Sequence, residues 1–572
     1  MFHKFRWSVF SIAVILALLV SAFPLGAVMA EGEDPAPEEV PQTEEQSATT
    51  EAPLLEEEAP PLTVEEVVAQ VPEEVVVVPA DPSGEVLSLA EEATASALVS
   101  GDPVYCPGSA VWGDLLCTGA LPTIEDALAA AAISGSGTIY VAVDYTDLTP
   151  SPVVIDGIAW SDAPSWLNLI GGVDFSTGEV TGKTVLNRPI NVTNLLSFWM
   201  ENFVISGVQN TALDVAQTED VYLFNSDLSD NQGRGLAINV SGDAILGEVK
   251  VNNNGGLGND VHAGYVSLYD VSASGNLNGH GMLVSSTSDL AIESSKFNNN
   301  LLSGLSTYVP NGVQYILCSQ AMNNGDTGMR LQTYGGDTML LCNKMTGNGE
   351  YGLEVDASGT IYMGSNTISG NEQIDQLLLT SPNPVVEQYA PCSYLCPSCK
   401  GGSGGEEEKP AEGKTQVVIV NVNDPNGSVE FKAGYATVFK LMEDQDGNEK
   451  EIQRTILMSG SAPDGSTGVY TPLDESQLPA PFGEGTTFMP YGFNLAISNP
   501  DGSPLDALIG YMVIRFYLPE GFVLPGGMRL VIQYFDPATS SWTPMSTGVG
   551  GGMAYTYTSK PGTYVLTMVP IQ

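Results

Sequence analysis

The sequence predicts an all-β protein in which a stack of parallel strands precedes a smaller β-sandwich. Three observations lead to this prediction. A Gly followed by a mostly apolar residue recurs every 23 or 24 residues between Gly235 and Gly352. After each of these glycines, apolar and polar residues alternate, which is typical of a strand with one face inward. Beyond residue 414, short strand-like runs are separated by Gly, Pro and Asp, without a long helical pattern.

Length and charge limit what the protein can be. The chain has 572 residues, enough for several domains. It carries 19 Lys and Arg against 68 Asp and Glu, a net charge of −49. A chain this acidic repels nucleic acids and anionic membrane surfaces, so both are excluded as main partners.

Residues 1–30 have the order of a secretory signal peptide. Lys4 and Arg6 precede an apolar stretch, and small residues end at Ala30. An uncleaved membrane anchor is the alternative, but the apolar run is short and is broken by Pro24. We therefore expect a secreted or cell-surface protein with no membrane span after removal of the signal.

Residues 31–98 are expected to form an acidic, proline-rich, disordered linker. Residues 31–100 contain 19 Asp and Glu and no Lys or Arg. Like charges repel, and too little apolar surface is present to offset the entropy of ordering.

The repeat over residues 99–390 has the period of a solenoid, whose turns bury a core only by stacking. An Asn stands four or five residues before each repeated Gly, at a tight bend, and one more continues the series. Stacked asparagines can hydrogen-bond to their neighbours in the turns above and below, so we assign them a structural role. This Asn ladder consists of Asn231, Asn254, Asn276, Asn300, Asn324, Asn348 and Asn371.

The chain resembles the right-handed parallel β-helix family of pectin-lyase-like proteins, of the secreted bacterial type. The resemblance rests on a cap helix at 124–132, a first strand at 138–143 that overlaps the sequence SGTIYV at 136–141, and the turns SDNQGRGL, NNNLLSGL and TGNGEYGL. It implies a right-handed parallel β-helix over 99–390. The residues beyond it predict a linker containing Cys, Gly and Glu at 391–414 and, from their short strand-like runs, a β-sandwich domain at 415–572. In enzymes of this family an outward strand face carries the groove, but many relatives lack catalysis, so the resemblance implies a fold and not an activity.

Candidate ligand-binding residues stand two and four positions after successive glycines, where alternation turns side chains outward. Because neighbouring strands lie side by side, Arg330 should pair with Glu354, and the Tyr308 ring should lie beside Gln332. A solvated face with a surface ion pair is the alternative. The candidates are Asp260, His262, Tyr308, Arg330, Gln332, Glu354 and Asp356.

Asp326 and Glu350 are the candidate catalytic residues. They occupy equivalent places in successive turns, about 4.8 Å apart along the stack. Retaining glycosidases need two carboxylates about 5–5.5 Å apart, one as acid and one as nucleophile. Exposed turn residues are commonly acidic, which is the alternative. No cofactor and no metal site are expected, and no specific motif supports Ca²⁺.

Seven cysteines are consistent with an oxidising compartment. Cys106 and Cys117 flank a short loop and are expected to pair. Cys318 and Cys342, 24 residues apart, are expected to be stacked thiols, with a disulfide between them as the alternative. A disulfide and one spare thiol are expected among Cys392, Cys396 and Cys399.

These observations predict a secreted or cell-surface β-helix protein without catalysis that binds an extended neutral carbohydrate along its outward strands. The partner would be an extracellular polysaccharide or a cell-wall surface. The alternative is a polysaccharide-degrading hydrolase or lyase that uses the same face, so the sequence alone leaves enzymatic activity open.

Overall fold

The computed structural model describes residues 104–107, 119–396 and 417–571, apart from gaps at 135, 147–148, 150, 160–165, 178, 381–384, 389, 422–427, 433–434, 446–447, 484, 520–521, 523 and 526. The predicted signal peptide and acidic linker lie outside the described residues, as do Cys117, Cys399 and most of the predicted linker at 391–414. No helix in the described part of the chain is long and apolar enough to cross a membrane.

Parallel strands from successive turns form a solenoid of about ten turns with three faces. Sheet A contains Gly119–Leu121, Val104–Pro107, Ser136–Ala142, Trp166–Asp174, Ser197–Glu201, Asp220–Phe224, Asp243–Gly247, Tyr265–Tyr269, Leu290–Glu293, Gln314–Leu317, Thr338–Leu341, Ile361–Gly364 and Val385–Glu387, with Glu179–Val180 antiparallel beside Trp166–Asp174. Sheet B contains Val153–Asp156, Ile190–Thr193, Leu213–Thr218, Leu236–Val240, Asn259–Ala263, Met282–Ser286, Leu305–Val309, Met329–Thr333, Tyr351–Ala357 and Ile374–Thr380. Sheet C, the narrowest, contains Thr184–Leu186 and Phe203–Ile205, then single bridges, then Gln320–Met322, Lys344–Thr346 and Thr367–Ser369.

The apolar columns of the repeat line the inside of the solenoid. Neighbouring strands pair in register, so that Met329 lies between Leu305 and Leu353. These three side chains and those of Leu236 and Met282 are fully buried, as predicted. Burial of each such side chain stabilises the fold by about 1.5–3 kcal/mol.

The corner between sheets A and C is made by a single residue in each turn with a left-handed backbone. One residue of positive φ turns the chain sharply without interrupting the in-register stack. At successive turns these residues are Asn225, Glu248, Asp270, Ser294, Cys318, Cys342 and Ser365.

The turn from sheet C to sheet B contains the stacked asparagines. The Nδ2 group of Asn324 donates to Oδ1 of Asn348 at 3.0 Å and to the carbonyl of Phe297 at 2.9 Å. Its Oδ1 atom accepts from the backbone N–H and from Nδ2 of Asn300, both at 3.0 Å. The column thus satisfies buried polar groups of adjacent turns, and it ends at the half-buried Asn371.

Helix α1 (Ile124–Ser134) covers the first turns, and it ends two residues later than predicted. Ile124, Ala127 and Ala131 face the core. The buried Arg188 guanidinium reaches up to Glu125 of this helix at 2.5 Å, which ties the cap to the solenoid.

Two six-stranded sheets follow the solenoid. Sheet D contains Val417–Asn421, Ala436–Gln445, Asn448–Leu457, Met512–Tyr517, Met553–Thr558 and Gly548–Gly550. Sheet E contains Ser428–Glu430, Thr467–Pro472, Thr487–Ser498, Gly562–Pro570, Met528–Asp536 and Ser541–Pro544. Phe439 and Phe516 of sheet D and Phe493 and Tyr564 of sheet E pack in one core between them. The predicted fold class, a parallel β-helix followed by a smaller β-sandwich, is confirmed.

Sheet D packs against the outer face of sheet A. The Tyr315 ring of sheet A stacks on Tyr557 with ring centroids 4.4 Å apart and meets Tyr511 edge-on at 5.3 Å. Tyr511 also donates a hydrogen bond to Asp337 at 3.0 Å. The sandwich therefore covers one long face of the solenoid.

The disulfides differ from the expectation of stacked thiols. Cys318 is bonded to Cys396, and Cys342 is bonded to Cys392. The prediction for Cys318 and Cys342 is wrong because both occupy the outward corner, where α2 (Cys392–Leu395) runs back along the stack. The prediction of one disulfide among Cys392, Cys396 and Cys399 is wrong for the same reason. The pairing of Cys106 with Cys117 stays a prediction, because Cys117 lies outside the described residues.

Asp243 is an acidic residue at the boundary between the solenoid and the sandwich. Burial and the negative charge of Asp220 raise the pKa of Asp243 to about 6, against the opposing effect of Arg529. Nη1 of Arg529 lies 3.1 Å from Oδ2 of Asp243. Ionisation of Asp243 is therefore less favourable in the folded chain than in the unfolded chain.

The pKa of Asp243 predicts a pH-dependent gain from substitution. A carboxyl with a raised folded-state pKa contributes most stability below about pH 4, and that stability is lost as the pH rises through about 6. Asp243→Asn, which mimics the protonated form, should raise the free energy of unfolding by about 1–2 kcal/mol at pH 7.5 and by nothing at pH 4. Urea unfolding at the two pH values measures this, with the exposed Asp214→Asn as control. An equal change at both pH values would contradict the assignment.

Candidate functional site

The outer face of sheet B carries most of the candidates. Tyr308, Gln332 and Asp356 lie side by side on three adjacent strands, and Arg330 and Glu354 form a second row beside them. Alternation places these side chains outward, while the residues between them fill the core. All five are at least partly exposed.

Two tyrosines form an exposed pair at one side of this face. The side chains of Tyr308 and Tyr334 are each 44% exposed, and their ring centroids lie 6.0 Å apart in an edge-on arrangement. The hydroxyl of Tyr334 donates a hydrogen bond to Oδ2 of Asp356 at 2.7 Å. That hydrogen bond raises the pKa of Tyr334, so its hydroxyl stays protonated and the ring is held in place.

Arg330 is neutralised by acidic neighbours. Its Nε atom lies 2.7 Å from Oε2 of Glu354, which is the pairing expected from the sequence. Its Nη2 atom lies 3.9 Å from Oδ2 of Asp326. The positive charge is therefore shared between two carboxylates and attracts anionic ligands only weakly.

Asp326 and Glu350 lie at the turn beside this face and interact directly. Partial burial raises the pKa of Asp326, but the hydrogen bonds from Glu350 and Ser303 and the charge of Arg330 outweigh it, so the pKa lies below its usual value. The same hydrogen bond, together with the negative charge of Asp326, raises the pKa of Glu350. Ser303 donates to Asp326 at 2.9 Å. Asp326 is thus a carboxylate held by three partners, Glu350, Ser303 and Arg330. Glu350 keeps its proton to a higher pH than an ordinary glutamate does.

Asp260 and His262, the first two candidates along the chain, lie apart from the residues around Tyr308 and Arg330. Asp260 forms an ion pair with Arg234, and the exposed His262 lies between Asn239 and Ser285. Their strand is two strands away from that of Tyr308, or about 10 Å. Asp260 and His262 therefore belong to a different part of the sheet.

Two further residues lie at the site: His280, which the sequence presents as an isolated histidine expected to be solvated, and Tyr334, which the sequence reasoning missed. Partial burial lowers the pKa of His280, which lies close enough to Asp326, Arg330 and Asp260 to feel their charges. Its Nδ1 atom is buried and has no hydrogen-bond partner among the described residues. His280 occupies the position before its repeated Gly, and Tyr334 lies six residues after Gly328, so extending the column count would have found Tyr334.

Within the ranges that the structure describes, no three His, Cys, Asp or Glu side chains are grouped to hold a metal ion.

Comparisons with known proteins address the fold. Residues 190–319 match the family model for a right-handed β-helix region. Among solved structures, the chain is similar to the A-module of mannuronan C-5 epimerase AlgE4 from Azotobacter vinelandii, with 15% sequence identity and a TM-score of 0.29. That similarity covers 47% of this chain and 94% of the other. No curated protein matches the sequence. The match to the right-handed β-helix family model and the stacked parallel sheets identify the solenoid as a right-handed parallel β-helix, as predicted.

Proposed function

We propose that the outer face of sheet B around Tyr308, Arg330, Gln332, Glu354 and Asp356 binds an extended, neutral polysaccharide. The protein would act as a secreted or cell-surface binder that does not cleave the glycan. Its partner would be an extracellular polysaccharide or a cell-wall surface.

The observation that carries this proposal is the exposed Tyr308–Tyr334 pair beside an in-register polar row. Aromatic rings offer an apolar surface to the C–H face of a sugar. Carboxylate, amide and guanidinium groups in the adjacent columns can exchange hydrogen bonds with hydroxyls. Because the row runs across successive strands and not into a concave pocket, it suits a polymer better than a small molecule.

Charge selects a neutral ligand. Asp326, Glu350 and Glu354 surround Arg330, whose charge two of them already share, and Asp356 adds a further carboxylate to the face. A polyuronate would meet a net negative face and be repelled.

The carboxyl pair favours binding over cleavage. Retaining glycosidases keep their two carboxyl groups about 5–5.5 Å apart so that the sugar carbon fits between them. Asp326 and Glu350 are hydrogen-bonded to each other, and Asp326 is also engaged by Ser303 and Arg330. The two carboxyls are thus engaged with each other and with neighbouring side chains, which favours binding over cleavage.

The two disulfides support the location. Bonds such as Cys318–Cys396 and Cys342–Cys392 form and persist in oxidising compartments outside the cytosol.

Replacing Tyr308 with Ala tests the proposal. Affinity electrophoresis of the full chain in gels containing soluble glucan, mannan or xylan should show retardation by at least one of them. Tyr308→Ala should weaken that binding about tenfold, since loss of an aromatic contact costs about 1.5 kcal/mol. Val185→Ala, which removes a side chain 48% exposed on sheet C, is the matched control and should bind like the parent.

Three results would count against this function. Tyr308→Ala could bind as tightly as the parent, or polygalacturonate could be the best ligand. If the parent protein released reducing ends from a polysaccharide and Glu350→Gln abolished that release, the face would instead belong to a hydrolase.

A further inference from the structure

Helix α2 lies between the β-helix and the sandwich and is covalently attached to the first. Cys392 and Cys396, at its two ends, are bonded to Cys342 and Cys318 at corners of adjacent turns. Just before the helix, the carbonyl of Ala390 accepts a hydrogen bond from Ser365 at 3.1 Å. Three successive corner positions thus hold this segment.

The opposite side of α2 contacts the sandwich through its backbone carbonyls. The carbonyl of Leu395 accepts from Nη2 of Arg515 at 2.8 Å. The carbonyl of Tyr394 accepts from Nη1 of Arg454 at 3.0 Å. Because both acceptors are backbone atoms, their positions depend on where the helix is held.

These contacts complete a buried charge pair between the two domains. The same Nη2 atom of Arg515 forms an ion pair with Oε1 of Glu293 in sheet A, and both side chains are fully buried. Tyr557 donates to the other Glu293 oxygen at 3.0 Å. Loss of the Leu395 carbonyl would leave the buried guanidinium with one partner fewer.

The two disulfides differ in access. Cys396 is fully buried and Cys318 is 7% exposed, whereas Cys342 and Cys392 are both half-buried. A reductant in solution therefore meets the Cys342–Cys392 bond first.

We propose that α2 is a redox-sensitive strap that fastens the sandwich to the last turns of the β-helix. A dithiol reductant attacks a sulfur of Cys342–Cys392 to form a mixed disulfide, and its second thiol then resolves that bond. The protein gains two thiols and the reductant becomes a cyclic disulfide. The Cys318–Cys396 bond follows by the same exchange. Freed of both bonds, α2 no longer fixes the carbonyls that hold Arg515 and Arg454, and sheet D loosens from sheet A.

Stepwise reduction of the full chain with dithiothreitol tests this order. Thiol alkylation followed by peptide mass spectrometry should find label on Cys342 and Cys392 before it appears on Cys318 and Cys396. Hydrogen–deuterium exchange at Met512–Tyr517 should rise at least tenfold once all four are labelled. Exchange at Leu213–Thr218, far from the strap in the stack, should stay unchanged.

Variants supply a second arm that needs no reductant. A quadruple variant lacks both disulfides and should show the same faster exchange at Met512–Tyr517. It combines Cys318→Ser, Cys342→Ser, Cys392→Ser and Cys396→Ser. Ser365→Ala, which removes only the two hydrogen bonds between Ser365 and the backbone of Ala390, is the control and should leave that exchange within twofold of the parent. Polysaccharide retardation should persist throughout, because the strap does not touch sheet B, so this inference and the proposed function can fail separately.

The proposal would be overturned by unchanged exchange at Met512–Tyr517 after full reduction. It would also fall if the two bonds were reduced together, or if Leu213–Thr218 exchanged equally fast, since either result would mean that reduction acts through global unfolding.

Discussion

Replacing Arg515 with Met should lower the free energy of unfolding by about 3–5 kcal/mol, because it leaves a buried carboxylate without its counter-charge. Arg515 and Glu293 are both fully buried between sheet D and sheet A. The ion pair itself contributes little net stability, since both charges leave water. Removal of one partner is what destabilises the protein.

Urea unfolding of the full chain measures this loss, with two controls. Arg330→Met breaks the partly exposed ion pair with Glu354 and should cost at most about 1 kcal/mol. Adding Glu293→Gln to Arg515→Met removes the unpaired charge and should recover most of the stability. A loss below about 1 kcal/mol for Arg515→Met alone would mean that water reaches Glu293 and that the two domains are less tightly packed than described.

Replacing Asn324 with Ala should lower the free energy of unfolding by about 2–4 kcal/mol. Its side chain donates to Phe297 and Asn348 and accepts twice from Asn300. Each hydrogen bond contributes about 0.5–1.5 kcal/mol net, and the buried partners that lose theirs cannot turn to water.

Asn371→Ala is the matched control for Asn324→Ala. Asn371 makes similar contacts at the last position of the column but is only half-buried, so water can replace them. The expected loss is at most about 1 kcal/mol. Thermal or urea unfolding measures both variants. Equal losses of the free energy of unfolding at the two positions would show that the column does not stabilise the fold through burial.

The β-helix could be predicted because each turn repeats the same local information. A fixed spacing of Gly and Asn and a two-residue alternation decide where each turn bends and which side chains face inward. The in-register stack then follows, and Arg330 meets Glu354 because they are equivalent positions of adjacent turns.

Contacts between distant segments could not be predicted in this way. The bonds from Cys318 to Cys396 and from Cys342 to Cys392 depend on a chain reversal after the last turn, which no repeat encodes.

The sequence does indicate that the outer face of sheet A is covered. Leu290–Glu293, Gln314–Leu317 and Thr338–Leu341 are buried on both faces, and the continuous apolar run Met339–Leu340–Leu341 is typical of such strands. Sheet B alternates, as expected for a face that meets solvent.

This difference between the two faces affects how the site is studied. A fragment that ends near residue 400 would expose Tyr315, Leu317, Met339 and Leu341, which the sandwich buries. Such an apolar surface promotes association. Binding experiments therefore need the full chain, in which sheet B is the long face open to a polymer.

The central claim is that the outer face of sheet B binds a neutral polysaccharide, and hydroxyl-radical footprinting of the full chain tests it most directly. The polymer is a soluble glucan, mannan or xylan that retards the protein in affinity electrophoresis. The side chains of Tyr308 and Tyr334 are exposed in the free protein and should both be protected when the polymer is bound. The half-buried Trp542 of the sandwich should be oxidised equally with and without it. Protection of Trp542 while Tyr308 and Tyr334 remain reactive would contradict the account and move binding to the C-terminal domain.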